Sequence, residues 1–98
     1  MRTMMKAQLD VDAANQAIKS GTLPKLIEST LARLKPEAAY FLTEDGKRTA
    51  YFFFDLKDVS EIPALVEPWF TTVKAAVSLC PVMNADDLRI GLQEISTK

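Results

Sequence analysis

Ninety-eight residues with a formal net charge of −1 make one domain, residues 1–98. They exclude a binder of nucleic acid or anionic membrane, which needs clustered Lys and Arg. With 48% apolar and 26% charged residues the chain is not disordered, yet at this length it buries only ~60–65% of its unfolded surface unless it associates.

Histidine is absent and Cys80 is the only cysteine. The commonest general base, the commonest metal ligand, His-dependent triads and an intrachain disulfide are all removed together. No metal and no cofactor are expected. No run approaches the ~20 apolar residues of a membrane span. Met1-Arg2-Thr3-Met4-Met5-Lys6 has no long apolar core, so no signal peptide is expected and a cytoplasmic setting is the default.

Along the chain, Thr3 to Asp10 alternates and reads as a strand, with Met5, Ala7 and Leu9 on one face and Met4, Lys6, Gln8 and Asp10 on the other. Asp12 is expected to cap a short helix with Ala14, Ala17 and Ile18 inward, stopping at Ser20-Gly21. Thr22 is expected to cap a second helical segment that buries Leu23, Leu26, Ile27, Leu31 and Leu34. Lys35-Pro36 ends it, because the residue before proline disfavours helix.

Ala38 to Leu56 then reads as a hairpin around Glu44-Asp45-Gly46-Lys47, since Asp-Gly between apolar runs is a strong turn signal. Ala50, Phe52, Phe54 and Leu56 form one apolar face, and Thr49, Tyr51, Phe53 and Asp55 a mixed one. On the first arm, Ala39, Phe41 and Thr43 oppose Ala38, Tyr40, Leu42 and Glu44. Ser60 is expected to cap a helix with Ile62, Leu65, Val66, Trp69, Phe70 and Val73 on its stripe and a kink at Pro68. Ala75 to Met83 returns to strand character, with Pro81 marking an edge or an end. Asn84 caps a last helix carrying Leu88, Leu92 and Ile95.

The order strand, helix, strand, strand, helix, strand is the split βαβ arrangement. The expected fold is therefore α+β, ferredoxin-like βαββαβ. Its four-stranded antiparallel sheet carries the helices on one face, with an extra C-terminal helix. The other face would carry Met4, Lys6, Gln8, Tyr40, Leu42, Tyr51, Phe53, Cys80 and Val82. Each large side chain buried there contributes roughly 1.5–3 kcal/mol, so a second copy laid face to face is expected to cover it as a homodimer.

This pattern resembles the dimeric α+β barrel superfamily in its ferredoxin-like form, over nearly the whole chain. It also resembles a group of small uncharacterised bacterial proteins that share Lys35-Pro36-Glu37-Ala38-Ala39-Tyr40-Phe41, Gly46-Lys47-Arg48-Thr49, Ile62-Pro63-Ala64, Glu67-Pro68 and Pro81-Val82-Met83. The resemblance implies a histidine and a carboxylate near the last strand. Cys80 and Ser78 stand there instead, so acid–base chemistry does not carry over.

Candidate ligand-binding residues are Lys6, Gln8, Tyr40, Tyr51, Ser78 and Cys80, set around the space between two sheets. Lys6 can hold an anionic or carbonyl-bearing ligand with a lowered pKa, or simply pair with Asp55 or Glu44 while its stem packs on tyrosine. Tyr40 and Tyr51 can orient a ligand or serve as interface aromatics. Cys80 reads as buried and inert, without a base to activate it. Asp55, Lys57, Asp58, Asp86 and Asp87 read as turn and cap chemistry, and Trp69-Phe70 as core.

Three functions follow: a homodimer binding a small molecule, a cofactor-independent isomerase or monooxygenase-like enzyme, or a purely structural dimer. RNA-recognition modules share the element order. Lys47 to Phe54 departs from their pattern at Arg48 and Thr49, where a glycine and a stacking aromatic belong, and Met4 to Leu9 has no aromatic, so no nucleic-acid partner is expected.

Overall fold

A computed structural model describes residues 1–96. The order is β1 (Arg2–Gln8), α1 (Val11–Ser20), α2 (Thr22–Leu34), β2 (Ala38–Glu44) and β3 (Lys47–Asp55). A 3₁₀ turn (Val59–Glu61), α3 (Ile62–Val73), β4 (Ala76–Pro81) and α4 (Ala85–Ser96) follow. The protein is α+β, with one antiparallel sheet in the order β2-β3-β1-β4, compatible with a ferredoxin-like arrangement.

The hairpin forms where Asp-Gly places it. Asp45 (φ 54°) and Gly46 (φ 75°) are both left-handed, the pair of conformations a two-residue turn needs to match strand twist. Pairing Ala39 with Phe52 and Tyr40 with Tyr51 then sends alternate residues to opposite faces. Met5, Ala7, Leu9, Ala50, Phe52 and Phe54 point to the helix side. There they meet Ala14 and Ala17 of α1, Leu23 and Leu26 of α2, and Leu65, Val66, Trp69 and Val73 of α3 in one core. Phe52 lies at its centre, its ring 5.8 Å from those of Phe41 and Trp69.

Several local expectations need correction. The cap of α1 is Asp10, whose carboxylate accepts from the Ala13 N–H at 2.9 Å; β1 ends at Gln8, which frees Asp10 for this role. Gly21 (φ 78°) ends α1 and starts α2 together, so Thr22 turns its hydroxyl back to the Ala17 carbonyl instead of capping. Asp58, not Ser60, opens the turn before α3. Its carboxylate accepts from the Ser60 N–H at 2.8 Å while the Glu61 carboxylate accepts from the Asp58 N–H at 3.1 Å. Phe70 and Ile18, at the margins of their stripes, are exposed.

Helix α3 runs unbroken through Pro68. β4 is an edge strand that ends at Pro81, as its proline suggests. Asn84 caps α4 as expected, its side chain accepting from the Asp87 N–H at 2.8 Å while Asp87 accepts from the Asn84 N–H.

Beyond its cap, α4 leaves the body. The Asp87 carboxylate accepts from Arg2 Nη1 at 3.2 Å, but Leu88, Ile90, Leu92 and Ile95 are exposed and α4 packs on no other element to any extent. The radius of gyration, 15.8 Å, exceeds the ~13 Å of a compact chain this long accordingly. No helix of the described residues is long and apolar enough to cross a membrane.

Candidate functional site

All three body helices sit on one side of the sheet, which leaves the other side open. The strand register lays out that open face in rows. Tyr40, Tyr51, Lys6 and Ser78 form one row across β2, β3, β1 and β4. Ala38, Phe53, Met4 and Cys80 form the next, and Leu42, Thr49, Gln8 and Ala76 the one beyond. The six candidate residues therefore share one surface, as strand alternation requires.

Its centre is a charged cluster. Lys6 Nζ pairs with Glu44 Oε2, and the Tyr51 hydroxyl donates to Glu44 Oε1 at 2.7 Å. Gln8 Nε2 donates to the Glu44 backbone carbonyl at 3.1 Å, which ties the hairpin tip over β1. Lys6 Nζ lies over the Tyr51 ring, 5.7 Å from its centroid, in cation–π contact. Apolar side chains border the cluster: Tyr40 meets Phe53 edge to face at 6.5 Å, with Met4 and Leu42 in the neighbouring rows.

The cluster sets its own protonation. The hydrogen bond from Lys6, reinforced by that from Tyr51, holds the Glu44 carboxyl below its ordinary range. The Lys6 ammonium is raised by its bond to Glu44, against the lowering that desolvation alone gives. Tyr51 is raised by donating to Glu44 and by desolvation. At neutral pH the set is ammonium, carboxylate and phenol. The lowered lysine pKa considered from sequence does not occur, because Glu44 supplies the opposite charge.

Other positions depart from expectation. Cys80 is exposed, not buried, because it lies on the open face of an edge strand. Ser78 is exposed for the same reason, and Tyr40 likewise. Asp58 and Asp87 act as caps, and Asp86 pairs with Arg89 at 3.0 Å. Among the described residues no three His, Cys, Asp or Glu side chains gather as metal ligands do.

Glu44 belongs to the site, although sequence offered it only as one of two partners for Lys6. In a flat register it sits two rows beyond Lys6. The long Lys6 side chain reaches it there, and the Gln8 amide holds the Glu44 backbone in place.

A separate groove lies on the helix side, at the β2 edge. It encloses about 380 Å³ and is lined by apolar Leu9, Leu23, Ile27, Phe41 and Trp69, with Arg48 as its one charged residue. None of the six candidate residues lines it. Comparison with protein-family models, curated proteins and solved structures finds no match to this chain.

Proposed function

We propose that the chain is a ferredoxin-like subunit of a two-fold homodimer, closed through the open sheet faces, which binds a small molecule between the sheets. The observation that carries this reading is the uncovered face itself, where Met4, Tyr40, Leu42 and Phe53 surround a hydrogen-bonded Lys6–Glu44–Tyr51 cluster. Sheets pack about 10 Å apart face to face. A second copy would cover the apolar members and leave the polar ones lining an enclosed space.

The ligand this lining fits is a small aromatic or aliphatic molecule bearing a carboxylate or phenolic oxygen. The ammonium of Lys6 has three donors, and its ion pair with Glu44 leaves donor capacity for such an oxygen. Tyr40 and Phe53 offer ring faces and edges to an apolar body. The reading is binding rather than catalysis. A general base or amine nucleophile needs a raised carboxylate or a lowered lysine, and Glu44 and Lys6 are biased the other way.

Sedimentation of the wild type beside Phe53→Glu tests assembly, and the variant is expected to halve the particle mass. A wild type that sediments as a single subunit at micromolar concentration overturns the dimer. Thermal-shift measurements with small aromatic acids and phenols test the ligand. Stabilisation that is lost in Lys6→Met supports it, and no shift with any compound overturns it.

A further inference from the structure

The two edges of the sheet differ in how they are protected. A strand edge offers unpaired N–H and C=O groups, and proteins shield it with proline, lysine, shortness, bulges or cover. β4 ends in Pro81 after six residues. β2 is seven residues long, contains no proline or basic residue, and pairs only with β3. Its sole charge, Glu44, lies at the end.

Three consecutive apolar side chains stand exposed on β2: Tyr40 at 63%, Phe41 at 52% and Leu42 at 41%. Tyr40 and Leu42 belong to the open face and Phe41 to the helix side. Among the described residues no helix packs closely along β2, and the groove between Phe41 and the α2 residues Leu23 and Ile27 is open. An occupant of this edge must therefore pair with backbone and present apolar groups on both sides at once. Only an extended strand does both.

We propose that β2 is a second assembly surface, on which β2 of another copy pairs antiparallel about a two-fold axis through Phe41. The strand is its own complement in that register. Phe41 faces Phe41 of the partner subunit, Tyr40 falls opposite Leu42, Ala39 opposite Thr43, and Ala38 opposite Glu44. Within β2 no like charges oppose each other, and the aromatic and aliphatic pairs are of the stabilising kind. The axis stands normal to the sheet, so the helix sides stay together and the two grooves close against each other across the axis.

The contact is independent of the sheet-face dimer. Its axis is perpendicular to any two-fold lying between stacked sheets. Where that second axis runs across the strands at the level of Phe41, the two meet and the assembly closes at four copies.

Cysteine cross-linking of the full chain in a Cys80→Ser background tests the register. Directly opposed Cα atoms in an antiparallel pair are about 4.5–5.5 Å apart, within the ~4.4–6.8 Å that a disulfide spans. Phe41→Cys is expected to give a covalent dimer under mild oxidation. Tyr40→Cys alone and Leu42→Cys alone are expected to give none, but an equimolar mixture of the two is expected to cross-link while keeping the Phe41 ring. Stacked sheets, about 10 Å apart, are beyond disulfide reach, so failure of the sheet-face dimer leaves this result unchanged. Any other pattern overturns the pairing, including no cross-link at all or equal yields at every position.

Discussion

Trp69 is the core residue whose single polar atom can be made to fail. It is 1% exposed, and its Nε1–H donates to the Thr30 hydroxyl at 3.1 Å. That hydroxyl in turn donates to the Leu26 carbonyl at 2.8 Å, so it acts as donor and acceptor in one buried relay between α2 and α3. Thr30→Val keeps the shape and removes the acceptor. The Leu26 carbonyl is still served by its own helix, but the indole N–H is left buried and unpaired, at about 1–3 kcal/mol. Against the roughly 5–15 kcal/mol that holds a domain of this kind together, this is a large fraction. It should lower Tm by roughly 4–8 °C for each kcal/mol lost. The assay is urea unfolding followed by far-ultraviolet circular dichroism for wild type, Thr30→Val, Trp69→Phe and the double variant. Trp69→Phe deletes the donor, so Thr30→Val in that background should cost little. A coupling of about 1–3 kcal/mol is expected. Losses that add to within ~0.5 kcal/mol would refute the reasoning and leave Thr30 a packing residue.

Three further outcomes are expected. Gly46→Ala should destabilise by about 1–2 kcal/mol in chemical denaturation, purely through its positive φ, since an added Cβ would meet nothing within 4 Å. The Glu44 carboxyl is lowered on folding by Lys6 and then Tyr51, so its stabilisation is complete above the ordinary 4.5 and fades as pH falls through the lower folded value. The stability advantage of wild type over Glu44→Gln should therefore shrink on acidification, and a constant difference would contradict the cluster. Cys80 is exposed in one subunit and faces the proposed dimer space, so its reaction with a thiol reagent should slow as protein concentration rises. A concentration-independent rate would place it outside any such contact.

How much of this is legible in the sequence varies with the range of the interaction. The turn at Asp45-Gly46, the stripe Leu65, Val66, Trp69, Val73 and the two faces of β3 are set by neighbours a few residues apart, and these the residue pattern gives directly. Helix caps are misplaced where two suitable residues compete. Asp10 and Asp12 both suit an N-cap, and the choice falls to the end of β1, where the Leu9 N–H still bonds to the Arg48 carbonyl at 2.9 Å. Thr30 is not among the apolar residues that mark the stripe of α2, and only its contact with Trp69 gives it a role. Grouping Lys6, Gln8, Tyr40, Tyr51, Ser78 and Cys80 on one surface follows from alternation and register. The choice of Glu44 over Asp55 as partner depends on which carboxylate Lys6 reaches in space, Asp55 being taken by the N-terminal ammonium, and a list of residues does not contain that.

Helix α4 carries a consequence for how the molecule behaves in dilute solution. Beyond the Arg2–Asp87 ion pair at its first turn, α4 packs little against the body, and isolated helices of twelve residues are marginal in water. Its amide protons should exchange with solvent long before those of β1 and β3, and trimming it by protease should leave the melting of the core untouched. The tail is thus a part of the chain whose order is set by the company it keeps, and a spin label at Gln93 would read that company directly.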